Sequence, residues 1–304
     1  MQFSTWIKPR ESLKYENNND VFGQLKDCGI NCVYVLAFSP FGSDPYRFEK
    51  YFGETRLGYD ALKFYMDRIV EHGLYSEIWM PVYPNSWIRE LKDELITGVG
   101  DKCWLCPTSE KTSKPLLQVI KQLVKNYGNF NGLNADYVRC SPICPERIDG
   151  SKRFPRCEQG SDEITKFIRK LSEVMKRYNK RLSVDVFVDS QNDGTTSYES
   201  IRVHQDWRKW AEEGYVDRAI PLIYTKSQTD FEERVKRSKE IMKINTDIEL
   251  EIGIGVKSNL SKLTPEQMGK QIRVVKKAHI DRVALFPLHG LTNRHLKILK
   301  NFVD

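Results

Sequence analysis

Nothing in this chain approaches the roughly 20 consecutive apolar residues of a membrane span. Met1 to Pro9 also lacks the apolar run that opens a secretory signal. As written, the sequence therefore reads as a soluble cytoplasmic protein with no membrane partner. Secretion is the alternative if the chain begins inside a longer one. There is no Walker loop, no His-Glu-x-x-His and no Gly-x-Ser-x-Gly elbow. Gly53 to Gly58 and Gly253-Ile-Gly255 lack the strand–glycine loop–helix context of a dinucleotide site. No organic cofactor is expected. A one-sided charge is missing as well. The 48 basic and 41 acidic residues are interspersed. The densest basic runs, Lys166 to Lys170 and Arg234 to Arg237, fall in helical patterns and read as solvated helix faces. A nucleic-acid partner is not expected.

What is present is enough apolar residue, 40%, to bury a large core in 304 residues. Short β-branched or aromatic runs alternate with longer runs at helical spacing, which is the pattern of parallel βα units. Eight strands are expected: 3–7, 31–38, 76–82, 132–139, 181–188, 218–224, 248–256 and 282–286. Helices are expected over 20–27, 60–72, 113–127, 161–178, 204–213, 230–244, 264–278 and 293–302. Gly29, Gly73 and Gly214 stand where helices end, and Ser161 and Thr264 stand as N-caps. No linker divides the chain. The expectation is a single (β/α)₈ TIM barrel over 1–304, with long βα loops after strands three and four.

In such a barrel, chemistry belongs at the C-terminal strand ends. Strand four ends in Asn134-Ala-Asp136-Tyr-Val-Arg139, and strand five carries Asp185 and closes on Asp189. Period-two alternation sets Asp136 and Val138 on one face and Tyr137 and Arg139 on the other. A carboxylate inside a barrel is costly unless paired or used. Carboxylates from neighbouring strands supply the acid and the base or nucleophile of glycoside hydrolysis. Asp136 in a rim salt bridge, Asp185 ordering the interior and Asp189 opening a loop are the structural alternatives. Around them, Arg139, Tyr224, Trp6, Trp79, Tyr83, Gln205, Asp206 and His289 are candidate saccharide-binding residues. Aromatic faces suit sugar C–H faces, so the group points to a saccharide cleft, although each aromatic taken singly reads as core or rim packing. Trp87 and Trp104 belong to the same group.

These residues bring a family resemblance with them. Gly29-Ile-Asn31-Cys-Val-Tyr34, Leu57 to Leu62, His72-Gly73 and Ile78 to Tyr83 follow one another in the family's order. So do Leu133 to Arg139, Leu182 to Phe187, Gln205-Asp206-Trp207 and Val216 to Tyr224. The chain resembles the glycosyl-hydrolase-like 10 family of (β/α)₈ glycosidases and its relatives with a "DYIRFP" strand. The resemblance implies Asp136 as a catalytic acid, with Arg139, Asp185 and Tyr224 beside it. Cys140, Val188 and His204 depart from the family pattern, which has an aromatic, a glycine and a glycine at these places.

Seven cysteines cannot all pair. Cys103 and Cys106 follow strand three, and Cys140 and Cys144 follow strand four, so the four thiols leave the same barrel face. They suit a structural zinc or a pair of disulfides equally, with Cys157 as a further partner, against independent thiols. The expected function is a glycoside hydrolase acting on an oligo- or polysaccharide. The alternatives are a carbohydrate-binding barrel without catalysis and a basic scaffold for an acidic partner. The oligomeric state is not legible.

Overall fold

The computed structural model describes residues 1–9, 21–37, 61–84, 95–97, 103–140, 160–188, 204–245 and 247–303. Barrel strands are β1 (Gln2–Ile7), β2 (Ile30–Leu36), β3 (Tyr75–Pro81), β6 (Gly132–Asp136), β7 (Arg181–Val186), β8 (Arg218–Ile223), β9 (Glu249–Gly255) and β10 (Arg282–Phe286). They close in the order β1-β10-β9-β8-β7-β6-β3-β2, all neighbours parallel. The two remaining strands, β4 (Leu95–Thr97) and β5 (Cys103–Leu105), form a short antiparallel pair between β3 and the next helix. The helices among the described residues are α1 (Val21–Asp27), α2 (Ala61–Glu71), α3 (Glu110–Asn126), α4 (Gly160–Arg177), α5 (Trp207–Glu212), α6 (Gln228–Met242), α7 (Pro265–Lys277) and α8 (Asn293–Leu299). The (β/α)₈ barrel expected from the alternating pattern is the fold.

Two cores follow from the period of the strands. Outward-facing Phe3, Val33, Ile78, Leu133, Val184, Ile252 and Val283 join the apolar stripes of the helices in one continuous cluster. Inward-facing Trp6, Cys32, Tyr34, Trp79, Ile220 and Ala284 form a second, smaller cluster inside the barrel, with Leu36, Leu222 and Phe286 against it. The helix ends obey local chemistry. Gly29 and Gly73 hold φ of +83° and +66° after α1 and α2, the left-handed turn that glycine adopts without cost. Thr264 caps α7 in a reciprocal capping box with Gln267.

Ser161 is not a cap. Helix α4 begins one residue earlier, at Gly160. A Cβ at that position would stand 2.9 Å from the His204 ring and 3.0 Å from Cys140 Sγ, so the turn entering α4 is packed against both neighbours. Helix α3 begins at Glu110 under a Ser109 cap, ahead of the expected start. Strand four is shorter than expected. Tyr137 takes φ of +53°, which stops β6 at Asp136. The face alternation therefore does not carry through to Val138 and Arg139.

Candidate active site

The lower half of the barrel interior is ionic. Arg218 at the start of β8 lies between Glu77 of β3 and Glu251 of β9, at 3.2 and 3.3 Å, and all three are almost fully buried. Its Nε donates to Glu249 at 2.8 Å, and Glu249 also pairs with Arg181 and Arg282 at 3.0 and 3.2 Å. Tyr34 donates to Glu251 at 2.6 Å and accepts from Arg218 at 2.9 Å. Ser4 donates to the other Glu251 oxygen at 2.5 Å. Burial opposes the Arg218 charge, but the partners around it, Tyr34, Glu77 and Glu251, hold it protonated well beyond the ordinary arginine range. Desolvation also opposes the Glu249 charge, but Arg181 and Arg218 keep its carboxyl below the usual value.

One layer up, Asn134 bridges this cluster to the strand ends. It accepts from Trp6 Nε1 at 3.0 Å and donates to Ser183 Oγ at 3.0 Å and to Asp185 Oδ1 at 2.9 Å. Ser183 in turn donates to Glu77 at 2.5 Å. Above them lies the carboxyl pair. The β6–β7 register runs to Ala135↔Val184, so Asp136 and Asp185 are the next neighbours, both on the interior face. Asp136 Oδ2 accepts from Trp79 Nε1 at 3.0 Å, and Oδ1 accepts from the Tyr137 amide at 2.6 Å.

Burial pushes the Asp136 carboxyl up to about 6, against the lowering effects of Trp79, the Tyr137 amide and, last, Arg139. Asp185 is raised well above the carboxylate range by burial and then by the Asp136 charge facing it, with Asn134 opposing. Arg139 thus does little to hold Asp136 ionised. Its guanidinium lies 4.8, 5.1 and 5.2 Å from the Trp104, Tyr137 and Phe187 rings, a stacked position beside the pair.

The aromatic wall is completed by a residue that sequence reasoning passed over. Phe286, the last residue of β10, stacks on Tyr224 at 5.6 Å and 16°. It also meets the edges of Trp6 and Trp79 at 5.8 and 6.0 Å. Tyr224 is raised well above the tyrosine range by burial and by Asp185 and Asp136. Its ring is seated against the backbone of Gly255, where a Cβ would come within 2.7 Å of it.

The other expected residues divide. Trp6 and Trp79 are in the site, but as buried donors to Asn134 and Asp136. Tyr83 is not. It lies in the outer core with its ring 5.7 Å from Phe167 of α4, because the alternation that would carry it inward ends at Pro81. Gln205 spends its amide on the β7 exit, accepting from Phe187 N at 3.0 Å and donating to Asp185 O at 3.1 Å. Asp206 caps α5. His289 is half-buried in a single 3₁₀ turn after β10. Asp189, Cys144, Cys157 and Trp87 lie outside the described residues, as does the Cys103 side chain. Cys106 and Cys140 present buried thiols, not a disulfide, and Cys106 Sγ shares a hydrogen bond with Thr108 at 3.0 Å. Among the described residues, no three Cys, His, Asp or Glu converge as metal ligands.

A closed barrel with buried carboxyls and aromatics at its C-terminal strand ends defines the class. The model of the Glycosyl hydrolase-like 10 family matches residues 150–271, so the resemblance read from the strand motifs is present over that stretch. No curated protein sequence matches the chain significantly. Among solved structures, the chain is similar to the PgaB (BpsB) glycoside hydrolase domain from Bordetella bronchiseptica. The TM-score is 0.72 at 12% identity, over 99% of this chain and 98% of that one. It is similar to the endo-1,4-β-D-mannanase from Thermotoga petrophila, with a TM-score of 0.65 at 12% identity over 99% and 98%. It is also similar to a chitinase from Chromobacterium violaceum, with a TM-score of 0.62 at 10% identity over 98% of each chain. At these identities the likeness is one of fold.

Proposed function

We propose that this barrel hydrolyses a glycosidic bond in an oligo- or polysaccharide, using Asp136 and Asp185. The observation that carries the reading is the pair itself: two buried carboxyls, side by side on β6 and β7, both raised by burial. Raised, mutually coupled carboxyls hold one proton and one charge at working pH. Glycoside hydrolysis needs that combination. The family match over 150–271 and the glycosidase neighbours support it.

The protonated member gives its proton to the glycosidic oxygen as the C–O bond breaks, and the sugar alcohol leaves. The ionised member attacks the anomeric carbon and forms a glycosyl ester. Water then attacks that carbon, losing a proton to the first carboxylate, and the ester bond breaks to restore both groups. Neighbouring strands lie about 4.8 Å apart. That favours the roughly 5–5.5 Å separation of retaining enzymes over the wider gap of inverting ones. Phe286 and Tyr224 supply apolar faces for the sugar ring, and Arg139 supplies donors at the rim.

Release of reducing ends from a polysaccharide panel tests the reading. Turnover by the wild type, lost in Asp136→Asn with saccharide affinity retained, is the expected result. Binding without turnover in the wild type would replace the hydrolase with a carbohydrate-binding barrel.

A further inference from the structure

Asn134 is completely buried beneath the carboxyl pair, and both polar atoms of its amide are engaged. Its Oδ1 faces the indole N–H of Trp6 at 3.0 Å, and an indole nitrogen can only donate. A reversed amide would set NH₂ against N–H, so this orientation is fixed by the chemistry of its neighbours. Nδ2 is therefore committed to Ser183 and Asp185. Ser183 has one hydroxyl proton, which goes to Glu77 Oε2, so its oxygen is left to accept from Asn134. The other Glu77 oxygen takes the Arg218 guanidinium. From Arg218 to Asp185, each link has one permitted direction.

This leaves the pair unequal. Asp136 receives two N–H groups, from Tyr137 and Trp79, and neither can do anything but donate. Asp185 receives one, at Oδ1, while its Oδ2 has no donor among the described residues. We infer that the two donors at Asp136 leave the charge there and the shared proton on Asp185, and that Asn134, by occupying Oδ1, is the positioning residue that confines that proton to Oδ2. The chemical use of that proton rests on the hydrolase reading above. In that reaction Asp185 is the acid and Asp136 the nucleophile, which reverses the role the family resemblance implies for Asp136.

The other titratable groups around Asp185 agree in sign. Glu251 of β9 and Glu77 of β3 add negative charge from below, and Asp136 adds it from the side. Tyr137 and Tyr224 add neutral phenols whose own ionisation the pair opposes. Arg139 acts on Asp136, favouring the charge there.

Infrared difference spectra without substrate test the assignment directly. They are recorded above the point near 6 where Asp136 ionises. The carbonyl stretch of a protonated carboxylic acid should be present in the wild type and in Asp136→Asn and absent from Asp185→Asn. A band kept in Asp185→Asn and lost from Asp136→Asn, or no such band in the wild type, overturns the inference. Asn134→Leu keeps the volume and removes the donor. It should shift the Asp185 band, move the alkaline limb of kcat/KM to higher pH, and lower kcat by about tenfold through lost positioning. A folded Asn134→Leu protein with an unmoved band and limb would make Asn134 mere packing and overturn the positioning role. If Asn134→Leu does not fold, Ser183→Ala removes the next link and is read the same way: a shifted band supports the role and an unshifted one overturns it. The spectra need no turnover. A chain that cleaves no glycan would sink the hydrolase reading and leave the proton assignment to stand or fall alone.

Discussion

The two ends of the barrel interior treat buried charge in opposite ways. At the lower end, three glutamates and three arginines pair with one another, and Tyr34, Ser4 and Ser183 fill the remaining lone pairs. At the upper end, two carboxyls face each other and accept from N–H groups of Trp79, Tyr137 and Asn134. A buried charge must be paired or must change its protonation. The lower end takes the first course and the upper end the second. Burial displaces Asp136 to about 6 and raises Asp185 well above the carboxylate range, while Arg218 is locked in its charged form. The same kinds of group, two strand residues and so about 6.6 Å apart between the Arg218–Ser183 level and Asp185, thus make a foundation at one end and a reactive pair at the other.

Breaking the lower end should cost most. Arg218→Met leaves Glu77 and Glu251 without their counter-ion. Unfolding in denaturant should show a loss of about 3–5 kcal/mol. A loss under about 1 kcal/mol would mean the cluster is solvated in solution, and the contrast between the two ends would fail.

Removing charge from the upper end should do the reverse to stability. The folded pKa of Asp136 is raised, so the native state binds the proton more tightly than the unfolded chain. Wild-type stability should therefore fall as pH rises from the ordinary 3.8 through about 6. Asp136→Asn should lack that component, so the difference between the two proteins should move in favour of the variant across this window and level off above it. Denaturant midpoints at several pH values measure it. A difference that moves the other way would put the ionised form, not the protonated one, as the better-held state.

Trp79→Phe is a finer probe. It removes one of the two donors to Asp136. The carboxyl should rise above about 6, and the acid limb of kcat/KM should follow it upward. A lost hydrogen bond to a charged group amounts to about 1.5–3 kcal/mol, of which only the part favouring the ionised form appears in the limb. The smallest effect belongs to neither end. Thr264→Ala deletes the α7 cap and should cost about 1 kcal/mol of stability with an unchanged pH profile. It sets the baseline against which the interior variants are read.

Much of this was legible in the residues. The strand cores stood out because β-branched runs recur between helical ones, and β10 runs over the expected Arg282–Phe286. Asp136 and Asp185 were conspicuous as acids inside apolar strands. The ionic floor was overlooked, although its signal was present. Two residues before each inward side chain of the upper layer stands another polar one: Ser4 before Trp6, Glu77 before Trp79, Ser183 before Asp185, Arg218 before Ile220. Reading each strand as an apolar run hid that alternation, because an outward apolar face and an inward polar one average to a buried strand. Tyr83 was misplaced by extending the alternation past Pro81, and Asp136–Val138 by extending it past a tyrosine at positive φ. Backbone handedness at a non-glycine residue leaves no mark in composition. Gln205 was expected to reach substrate, but the same amide satisfies two backbone groups at the β7 exit, which only tertiary packing reveals.

Tyr224 rests on the bare backbone of Gly255, and Ser261 Oγ would stand 2.5 Å from any Cβ added there. That contact orders the changes open to a descendant of this sequence. A side chain at 255 is admissible only after residues 224 and 261 have both shrunk or swung aside. The three positions are therefore expected to change together, with 255 last. Libraries that randomise them singly would miss the variants that randomising them together would find.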